Sequence, residues 1–196
     1  MKIPKDSASC EETIRGSRFL AELFPIDSQT AVREKIKAQK QKYPGASHVC
    51  HAFICGKNAE IMGMSDDGEP GGTAGRQMLD VIKGSGATNL LVTVTRWFGG
   101  TLLGTGGLVH AYSNGAKNVL ALAEFEELVE KNAFALKCDY QQYQIVRRAL
   151  EDFTLYETAE EFGEEISVRG QIAADDLAAL KARIFDATGG KVDVSV

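Results

Sequence analysis

A glycine-rich segment, Arg96–Gly107, has the residue types and spacing best suited to hold a ligand. Five of the nine residues from Gly99 to Gly107 are glycine. Glycines let a backbone approach a ligand closely, and the free N–H groups at the start of a helix can hold an anion. The spacing matches neither of the glycine fingerprints of nucleotide-binding proteins, so glycines required only for tight packing are the alternative. The candidate ligand- or partner-binding residues here are Arg96, Phe98, Gly99, Gly100, Gly104, Gly106 and Gly107.

A second glycine-rich segment, Ser65–Gly75, carries three acidic residues. Carboxylates so close together could bind Mg²⁺ beside a phosphate or act as an acid and a base. They could also form turns by accepting hydrogen bonds from their own backbone, and this alternative is favoured. We expect the two glycine-rich loops to build one site. The candidate residues of this loop are Asp66, Asp67, Glu69, Gly72, Thr73 and Gly75.

Histidines and cysteines crowd a short segment before that loop, which raises the question of a metal site. In a strand, His48 and Cys50 share one face, whereas His51 and Cys55 share the other. No second ligand pair has the spacing of a zinc site, so a buried thiol beside a hydrogen-bonded histidine is favoured and no metal is predicted. His48 remains a candidate site residue. So does His110, although a neutral surface histidine is the favoured interpretation there.

A run of basic residues lies on a helix predicted over Gln29–Tyr43, with Ser28 as its N-cap. The run carries five basic residues against Glu34 alone, for a local net charge of +4. It forms either a solvated face or a contact surface for a phosphate backbone or an acidic partner. Its members are Arg33, Lys35, Lys37, Lys40 and Lys42.

The composition bounds the class of protein. The chain has 196 residues, of which 44% are hydrophobic and 25% charged, so it can form one large domain or two small ones. It contains no apolar run long enough to span a membrane and no apolar core at its N-terminus, so a cytoplasmic protein without a membrane partner is predicted. The net charge of -5 argues against attraction of nucleic acid by the whole surface. Four scattered cysteines are typical of free thiols.

The elements that must position these residues follow from periodicity and turn signals. Residues 1–15 are polar and are predicted to be an irregular lead-in. The short apolar run Asn89–Thr95 predicts a buried strand that leads into the first glycine-rich loop, and Leu108–Ala123 predicts the helix after it. Thr73 is the predicted cap of the helix that follows the second loop. Further strands are predicted over residues 16–26, 47–55 and 60–64.

The last third of the chain predicts a separate unit. The segment Lys131–Val196 follows the order β-α-β-β-α-β of a ferredoxin-like domain, with Asp139 and Asp175 as the helix caps. The domains are therefore predicted over residues 1–130 and 131–196. The second contains eight basic and twelve acidic residues, a net charge of -4, and no cluster of catalytic residue types. It is typical of a platform for protein contact.

Two strings together carry a resemblance to a known family: SDDGEPGGTAG at 65–75 and RWFGGTLLGTGGL at 96–108. They resemble the signature of the IMPACT family in its bacterial two-domain, YigZ-like form. Three shorter strings fit the same order, namely GSRF at 16–19, ASH at 46–48 and AYS at 111–113. The departures are Gly71 in place of the usual serine, Trp97 in place of tyrosine, and His110 in place of arginine. The last removes a positive charge from the predicted site.

The resemblance implies an α+β fold with two domains. The first would be a β-α sandwich similar to one in ribosomal proteins and in domain IV of elongation factor G, and the second would be ferredoxin-like. Eukaryotic relatives regulate translation initiation by competing for an activator of a stress kinase, largely through an additional N-terminal domain. Bacterial members resemble nucleic-acid or ribosome-associated proteins by fold, and fold alone is an associational argument.

Three functional hypotheses follow. The favoured one is a translation-associated regulatory protein that binds RNA or the ribosome through the glycine-rich face of the first domain. The second is an enzyme or binding protein for a phosphorylated small molecule or nucleotide, which would use the same loops with Mg²⁺. The third is a protein-interaction module that uses the acidic second domain. No P-loop lysine and no nucleophile with a base are found, so a protein that is not an enzyme and has no cofactor is favoured.

Overall fold

The computed structural model describes residues 1–196, which divide into two units, Met1–Leu128 and Val129–Val196. The first unit contains the strands β1 Lys2–Pro4, β2 Ala8–Ile14, β3 Ser17–Pro25, β4 His48–Cys55, β5 Ile61–Ser65, β6 Leu90–Trp97 and β7 Phe125–Glu127. Its helices are α1 Gln29–Lys42, α2 Gly75–Ser85 and α3 Gly104–Leu122. The second unit contains β8 Lys131–Cys138, α4 Tyr140–Leu150, β9 Leu155–Phe162, β10 Ile166–Ala173, α5 Leu177–Thr188 and β11 Val194–Ser195. None of these helices combines the length and hydrophobicity of a membrane span.

An antiparallel five-stranded sheet in the order β2-β3-β6-β4-β5 is the framework of the first unit. The central strand β6 is buried along all but its last residue, and its sequence is correspondingly apolar or β-branched up to Arg96. One face of the sheet packs on α2 and α3 through residues such as Met78 and Tyr112. On the other face, α1 covers a smaller cluster that includes Val32, Phe53 and Leu91.

The strand register brings three side chains into one row at the end of the sheet. Arg96 on β6 lies opposite both Phe19 on β3 and His48 on β4. Directly opposite residues in antiparallel strands share a face, so all three side chains lie on the face that packs on α2 and α3. The next row, Ala21–Val94–Cys50, is fully buried, so this first row marks the boundary between the core and the loops.

The prediction of an irregular lead-in was wrong, because residues 1–15 contain two strands. β1 pairs with β7, and β2 pairs with β3 along its whole length. β2 is an edge strand, so only alternate residues pack on the core, namely Ala8, Cys10 and Ile14. The polar residues between them are exposed to solvent, so the segment lacks the apolar run that would predict a strand from the sequence.

Two predicted helix starts in the first unit also need correction. α3 begins at Gly104, four residues before the predicted start, so three glycines of the first loop form its first turn. Thr73 does not cap α2, because its hydroxyl donates to the Pro70 carbonyl at 2.7 Å. Instead the Asp66 carboxylate accepts from the backbone N–H groups of Ala74 and Gly75 at the start of that helix.

The second unit is a four-stranded sheet in the order β11-β8-β10-β9, with all neighbours antiparallel. This is the ferredoxin-like order, and its core combines strand residues with α4 and α5. The predicted cap of α4 is confirmed, since Asp139 accepts from the Gln142 N–H at 2.7 Å. The predicted cap of α5 was wrong, because Asp175 lies in a short 3₁₀ turn and no side chain caps the helix. The two-domain α+β architecture is confirmed.

Candidate functional site

Both glycine-rich loops line one cleft of about 470 Å³ in the first unit. The loop after β5 contributes Gly68, Glu69 and Pro70, and the row at the sheet end contributes His48 and Arg96. The expectation that the two loops meet is confirmed. The loop after β6 and the start of α3 complete the lining with Phe98, Leu102, Leu103, Gly104, Thr105 and Leu108.

A buried ion pair forms one wall of the cleft. Arg96 Nη1 donates to Glu69 Oε1 at 2.8 Å, and the Tyr112 hydroxyl donates to the same oxygen at 2.6 Å. Arg96 is 5% exposed and Glu69 7%. An unpaired charge at such a depth is costly, so each of these two residues requires the other. Burial raises the pKa of Tyr112, so its hydroxyl keeps the proton that it donates.

Aromatic rings hold the Arg96 guanidinium from two sides. Its central carbon lies 5.4 Å from the centre of the Phe19 ring and 5.6 Å from that of Phe98. The Nη2 atom makes a long contact of 3.4 Å with the Ser17 hydroxyl, which also accepts from the Gly99 N–H at 3.1 Å. The Nε atom is buried and has no hydrogen-bond partner. The guanidinium is therefore fixed in place, and its Nε donor is unpaired.

Hydrogen bonds within the loop after β5 engage its two aspartates. Asp66 accepts from the backbone N–H groups of Gly72, Ala74 and Gly75. Burial alone would raise the pKa of Asp66, but these donors outweigh burial and lower the pKa. Burial likewise opposes the shift at Asp67, whose pKa is lowered by its bonds to Lys40 and to the Val49 N–H.

The engaged carboxylates favour the turn-forming alternative over the Mg²⁺ alternative. Both oxygens of Asp66 and both oxygens of Asp67 already accept hydrogen bonds from the protein. No group of three or more His, Cys, Asp or Glu side chains is arranged to hold a metal ion. We therefore assign the aspartates to shaping the loop that presents Glu69.

His48 is oriented by the backbone of the same loop. Its Nδ1 atom lies 2.9 Å from the Asp67 carbonyl oxygen, which can only accept, so Nδ1 carries the hydrogen. In the neutral ring Nε2 is then an acceptor, and it lies 3.9 Å from Glu69 Oε2. The Oε2 atom accepts no hydrogen bond from the protein, so two acceptors face each other across this gap.

Cys50 lies below this pair in the core. It is fully buried, and its Sγ donates to the Asp66 carbonyl at 3.0 Å. Burial raises its pKa to about 12, so the thiol stays protonated and is not a nucleophile at neutral pH. The prediction of a buried thiol beside a hydrogen-bonded histidine is confirmed.

The start of α3 adds an electropositive element to the cleft. The cap residue, Leu103, makes no side-chain hydrogen bond to the first turn, and no acidic residue lies in that turn. The free N–H groups of a helix start carry a partial positive charge and attract anions. Open space surrounds Gly104 and Gly106, since a Cβ added at either position would meet no atom within 4 Å.

A cationic and aromatic cluster lies at the same end of the sheet and comprises Arg18, Lys42, Tyr43 and Trp97; we call it the aromatic cluster. The Arg18 guanidinium lies 4.3 Å from the centre of the Trp97 ring, and the Tyr43 ring meets Trp97 edge-on at 5.5 Å. The Lys42 Nζ lies 4.8 Å from the Tyr43 ring centre. Because Trp97 follows Arg96 on β6, the cluster and the cleft occupy opposite faces of one sheet end.

The basic run on α1 is partly neutralised. Lys40 pairs with Asp67, and Lys42 pairs with Glu22 at 3.1 Å. The Lys35 ammonium lies 4.8 Å from the Phe24 ring. Arg33, Lys35 and Lys37 form no ion pair within the protein, and Arg33 and Lys37 are the exposed members of these three, so their charges are the most available to a partner.

Comparison with known proteins decides the family. Residues 15–120 match the model of the Impact N-terminal domain, and residues 136–191 match a domain of unknown function, DUF1949. An IMPACT family member of Haemophilus influenzae is 35% identical over 196 residues, which cover 99% of this chain and 95% of that relative. This chain belongs to the IMPACT family. The Escherichia coli IMPACT family member YigZ is 37% identical over 142 residues, which cover 71% of this chain and 70% of YigZ.

A solved structure has the same fold over the whole chain. This crystal structure, described as that of a hypothetical protein, has a TM-score of 0.71 and 30% sequence identity to the chain. The match covers 98% of this chain and 95% of that one. The two-domain architecture is therefore shared beyond this IMPACT family chain.

The structure separates the IMPACT signature residues into those that line the cleft and those that shape it. His48, Glu69, Arg96, Phe98 and Gly104 line the cleft. The remaining predicted residues support the loops or the first turn of α3: Asp66, Asp67, Gly72, Thr73, Gly75, Gly99, Gly100, Gly106 and Gly107.

One predicted residue lies outside the cleft, and several lining residues were missed. His110 is exposed and does not line the cleft, because α3 packs into the core through Leu108, Ala111 and Tyr112 and leaves His110 facing solvent. Tyr112 was missed as the second donor to Glu69, although it belongs to the AYS string of the IMPACT signature. Ser17 and Phe19 were missed because their contacts with Arg96 depend on strand register.

Proposed function

We propose that this IMPACT family chain is a translation-associated regulatory protein that binds RNA, in the ribosome or free, through the glycine-rich face of its first unit. The observation that carries the proposal is the cleft where both glycine-rich loops meet the uncapped start of α3. Helix starts of this kind hold phosphate groups. The role in translation rests on what the family resemblance implies.

The surroundings of the cleft support an RNA partner. Phe98 is 48% exposed at the cleft, and Leu102 is 81% exposed. Exposed aromatic rings beside cations are suited to stacking on unpaired bases, and the aromatic cluster supplies Arg18 and Trp97 at the same sheet end. The net charge of -5 makes binding depend on this local surface, not on general attraction to a polyanion.

Sedimentation with ribosomes tests the proposal. The full chain is mixed with purified ribosomes and spun through a sucrose cushion at low and at moderate salt. We expect co-sedimentation at low salt and its loss as salt rises, because contacts to phosphates release counterions. A chain that stays in the supernatant at low salt, and that also fails to bind structured RNA, would overturn the proposal.

Charge variants locate the surface. Reversing Arg33 and Lys37 together to glutamate removes the two exposed charges of the basic run that form no ion pair, and we expect a weaker association with a smaller salt dependence. Reversing Lys181 and Lys191 in the second unit changes the net charge equally and is the control. Equal loss in both double variants would exclude α1 as a contact surface.

A phosphorylated small molecule is the second candidate, because the cleft encloses about 470 Å³ beside the start of α3. Thermal unfolding in the presence of nucleotides and sugar phosphates tests this function, since a ligand that binds the native state raises the Tm. A rise in Tm that does not require Mg²⁺ would fit a cleft whose aspartates are already engaged.

A further inference from the structure

Two acceptors in the cleft have no hydrogen-bond donor in the protein. Glu69 Oε2 accepts no hydrogen bond, although the side chain is only 3% exposed, and His48 Nε2 lies 3.9 Å away from it. His48 Nδ1 donates to Asp67, so the neutral ring presents a lone pair at Nε2. Both residues line the cleft, so a donor on a ligand can reach these acceptors without breaking a hydrogen bond of the protein.

The charges around the gap select a neutral donor. The Arg96 Nη1 lies 2.8 Å from the other oxygen of Glu69 and already neutralises the carboxylate. An ammonium group placed between Glu69 and His48 would meet the positive charge of Arg96 at close range. A hydroxyl group carries a donor without a charge, and it fits a gap of this width between two acceptors.

A phosphate can lie near that hydroxyl in the same cleft. Gly104 and Thr105 line the cleft, and the first turn of α3 has neither a side-chain cap nor an acidic residue. The free N–H groups of that turn are the donors available to a phosphate. The cleft therefore combines donors suited to a phosphate with acceptors suited to a hydroxyl.

We infer that the cleft recognises the ribose 2′-hydroxyl of RNA, whose single O–H is shared between Glu69 Oε2 and His48 Nε2 in a three-centre hydrogen bond while an adjacent phosphate lies at the start of α3. This inference rests on the proposed function and adds selectivity to it. The 2′-hydroxyl distinguishes RNA from DNA, and it is the donor that deoxyribose lacks. The exposed Phe98 ring at the cleft edge is placed to stack on the attached base.

Fluorescence anisotropy with the full chain and three oligonucleotides of one sequence tests the inference. The probes are a short single-stranded RNA, its 2′-O-methyl form and the corresponding DNA. The 2′-O-methyl form keeps the sugar pucker and the oxygen but lacks the donor. We expect the RNA to bind roughly tenfold more tightly than either analogue, since a hydrogen bond to a charged group is lost.

Two variants test whether the preference for RNA over 2′-O-methyl RNA depends on Glu69 Oε2 and His48 Nε2. In H48N, the asparagine amide can still donate to the Asp67 carbonyl, but the Nε2 acceptor is gone. In E69Q, the charged acceptor is removed while the amide oxygen can still accept from Tyr112. We expect both variants to bind RNA and 2′-O-methyl RNA within about twofold of each other. The control H110N changes an exposed histidine outside the cleft and should keep the wild-type preference.

The outcomes separate this inference from the proposed function. Equal binding of the three probes by the wild-type chain would overturn the inference and leave RNA binding in place. Absence of binding to every probe would overturn the inference, and the ribosome sedimentation and structured-RNA assays would then decide the proposed function separately. A preference for RNA that persists in H48N and E69Q would place the hydroxyl contact elsewhere and overturn the inference. Circular dichroism checks that each variant is folded. If E69Q does not fold, the result with H48N alone decides whether the hydroxyl contact lies at this site.

Discussion

At the scale of residues, the candidate site depends on pairings that join distant parts of the sequence. Glu69 and Arg96 were both selected from their loops, but their partnership spans 27 positions and follows from strand register and loop shape. The sequence predicted which residue types gather in the glycine-rich face. It did not predict that Arg96 would form a buried ion pair with Glu69, because no local sequence pattern encodes a contact between a strand end and a loop.

The buried ion pair makes a prediction about stability. Replacing Arg96 with methionine leaves the Glu69 charge buried and unpaired, and we expect the free energy of unfolding to fall by about 3–5 kcal/mol. The double variant R96M/E69Q removes both charges and keeps an acceptor for Tyr112. Urea denaturation should show that the double variant recovers more than half of that loss. A double variant less stable than R96M would contradict this account.

A second residue-scale prediction concerns pH. Burial lowers the pKa of His51, and Lys40 lowers it further while Asp67 opposes the shift. The pKa of His51 in the folded chain lies below the ordinary histidine value of about 6.5, so the unfolded chain binds more protons as the pH falls below that value. The stabilising effect is therefore present above about pH 7 and is lost toward about pH 5.

Urea denaturation across this pH range measures the effect. The variant H51Q should flatten the decline in the free energy of unfolding between about pH 7 and 5. The control H110Q changes an exposed histidine and should keep the wild-type slope. A wild-type free energy that stays constant over this range would contradict the prediction.

At the scale of elements, the interior strands and most helices were predictable because their apolar periodicity is strong. β6 and α1 were found to within two residues of their bounds. β2 was missed because only Ala8, Cys10 and Ile14 of this edge strand pack on the core and the residues between them are polar. The first turn of α3 was missed because it contains Gly104, Gly106 and Gly107, and glycine has a low helix propensity. Local propensity therefore does not predict a helix there.

The close approach of Gly99 to the backbone of Gly16 can be tested by replacing Gly99 with alanine. A Cβ on Gly99 would lie 1.9 Å from the backbone carbon of Gly16, so the loop after β6 cannot accept a side chain there without moving. We expect G99A to lower the free energy of unfolding by at least about 1–3 kcal/mol. In G71A the added methyl meets no atom within 4 Å, so a change within about 0.5 kcal/mol is expected by thermal or urea denaturation. Equal losses of unfolding free energy in G99A and G71A would show that the close approach of Gly99 to Gly16 does not restrict the side chain at position 99.

The start of α3 predicts a conflict between stability and binding. An acidic residue in the first turn of a helix stabilises it by about 0.3–1 kcal/mol, so T105E should raise the free energy of unfolding. The same carboxylate would repel a phosphate at the cleft, so RNA binding should weaken. The neutral variant T105Q is the matched control, and both quantities are measured on the same preparations. Unchanged RNA binding in T105E would exclude this helix start as the phosphate site.

At the scale of the whole molecule, each unit has its own hydrophobic core. The first unit is closed by the pairing of β1 with β7, and the Leu128 N–H donates to the Met1 carbonyl at 2.7 Å. A cut directly after Leu128 therefore preserves every strand of the first unit, whereas a cut before Phe125 would remove the partner of β1. The family resemblance supplied the fold of the first unit, while periodicity alone was enough to predict the second.

This division predicts that the two units fold independently. Fragments 1–128 and 129–196 should each unfold cooperatively, and fragment 1–128 should keep the RNA affinity of the full chain within about twofold. Circular dichroism during thermal unfolding and fluorescence anisotropy measure the two properties. A fragment 1–128 that folds but loses RNA binding would transfer part of the binding surface to the second unit.

The position of β6 between β3 and β4 has a consequence for how the chain is made. β3 and β4 leave the ribosome first, but each pairs with β6 and not with the other, so neither can complete the central sheet until Trp97 has been synthesised. Such non-local pairing slows folding and leaves the early strands exposed during synthesis. The glycine-rich cleft is lined by residues that come before β6 in the sequence and by residues that come after it. It therefore forms only after β6 has entered the sheet between β3 and β4.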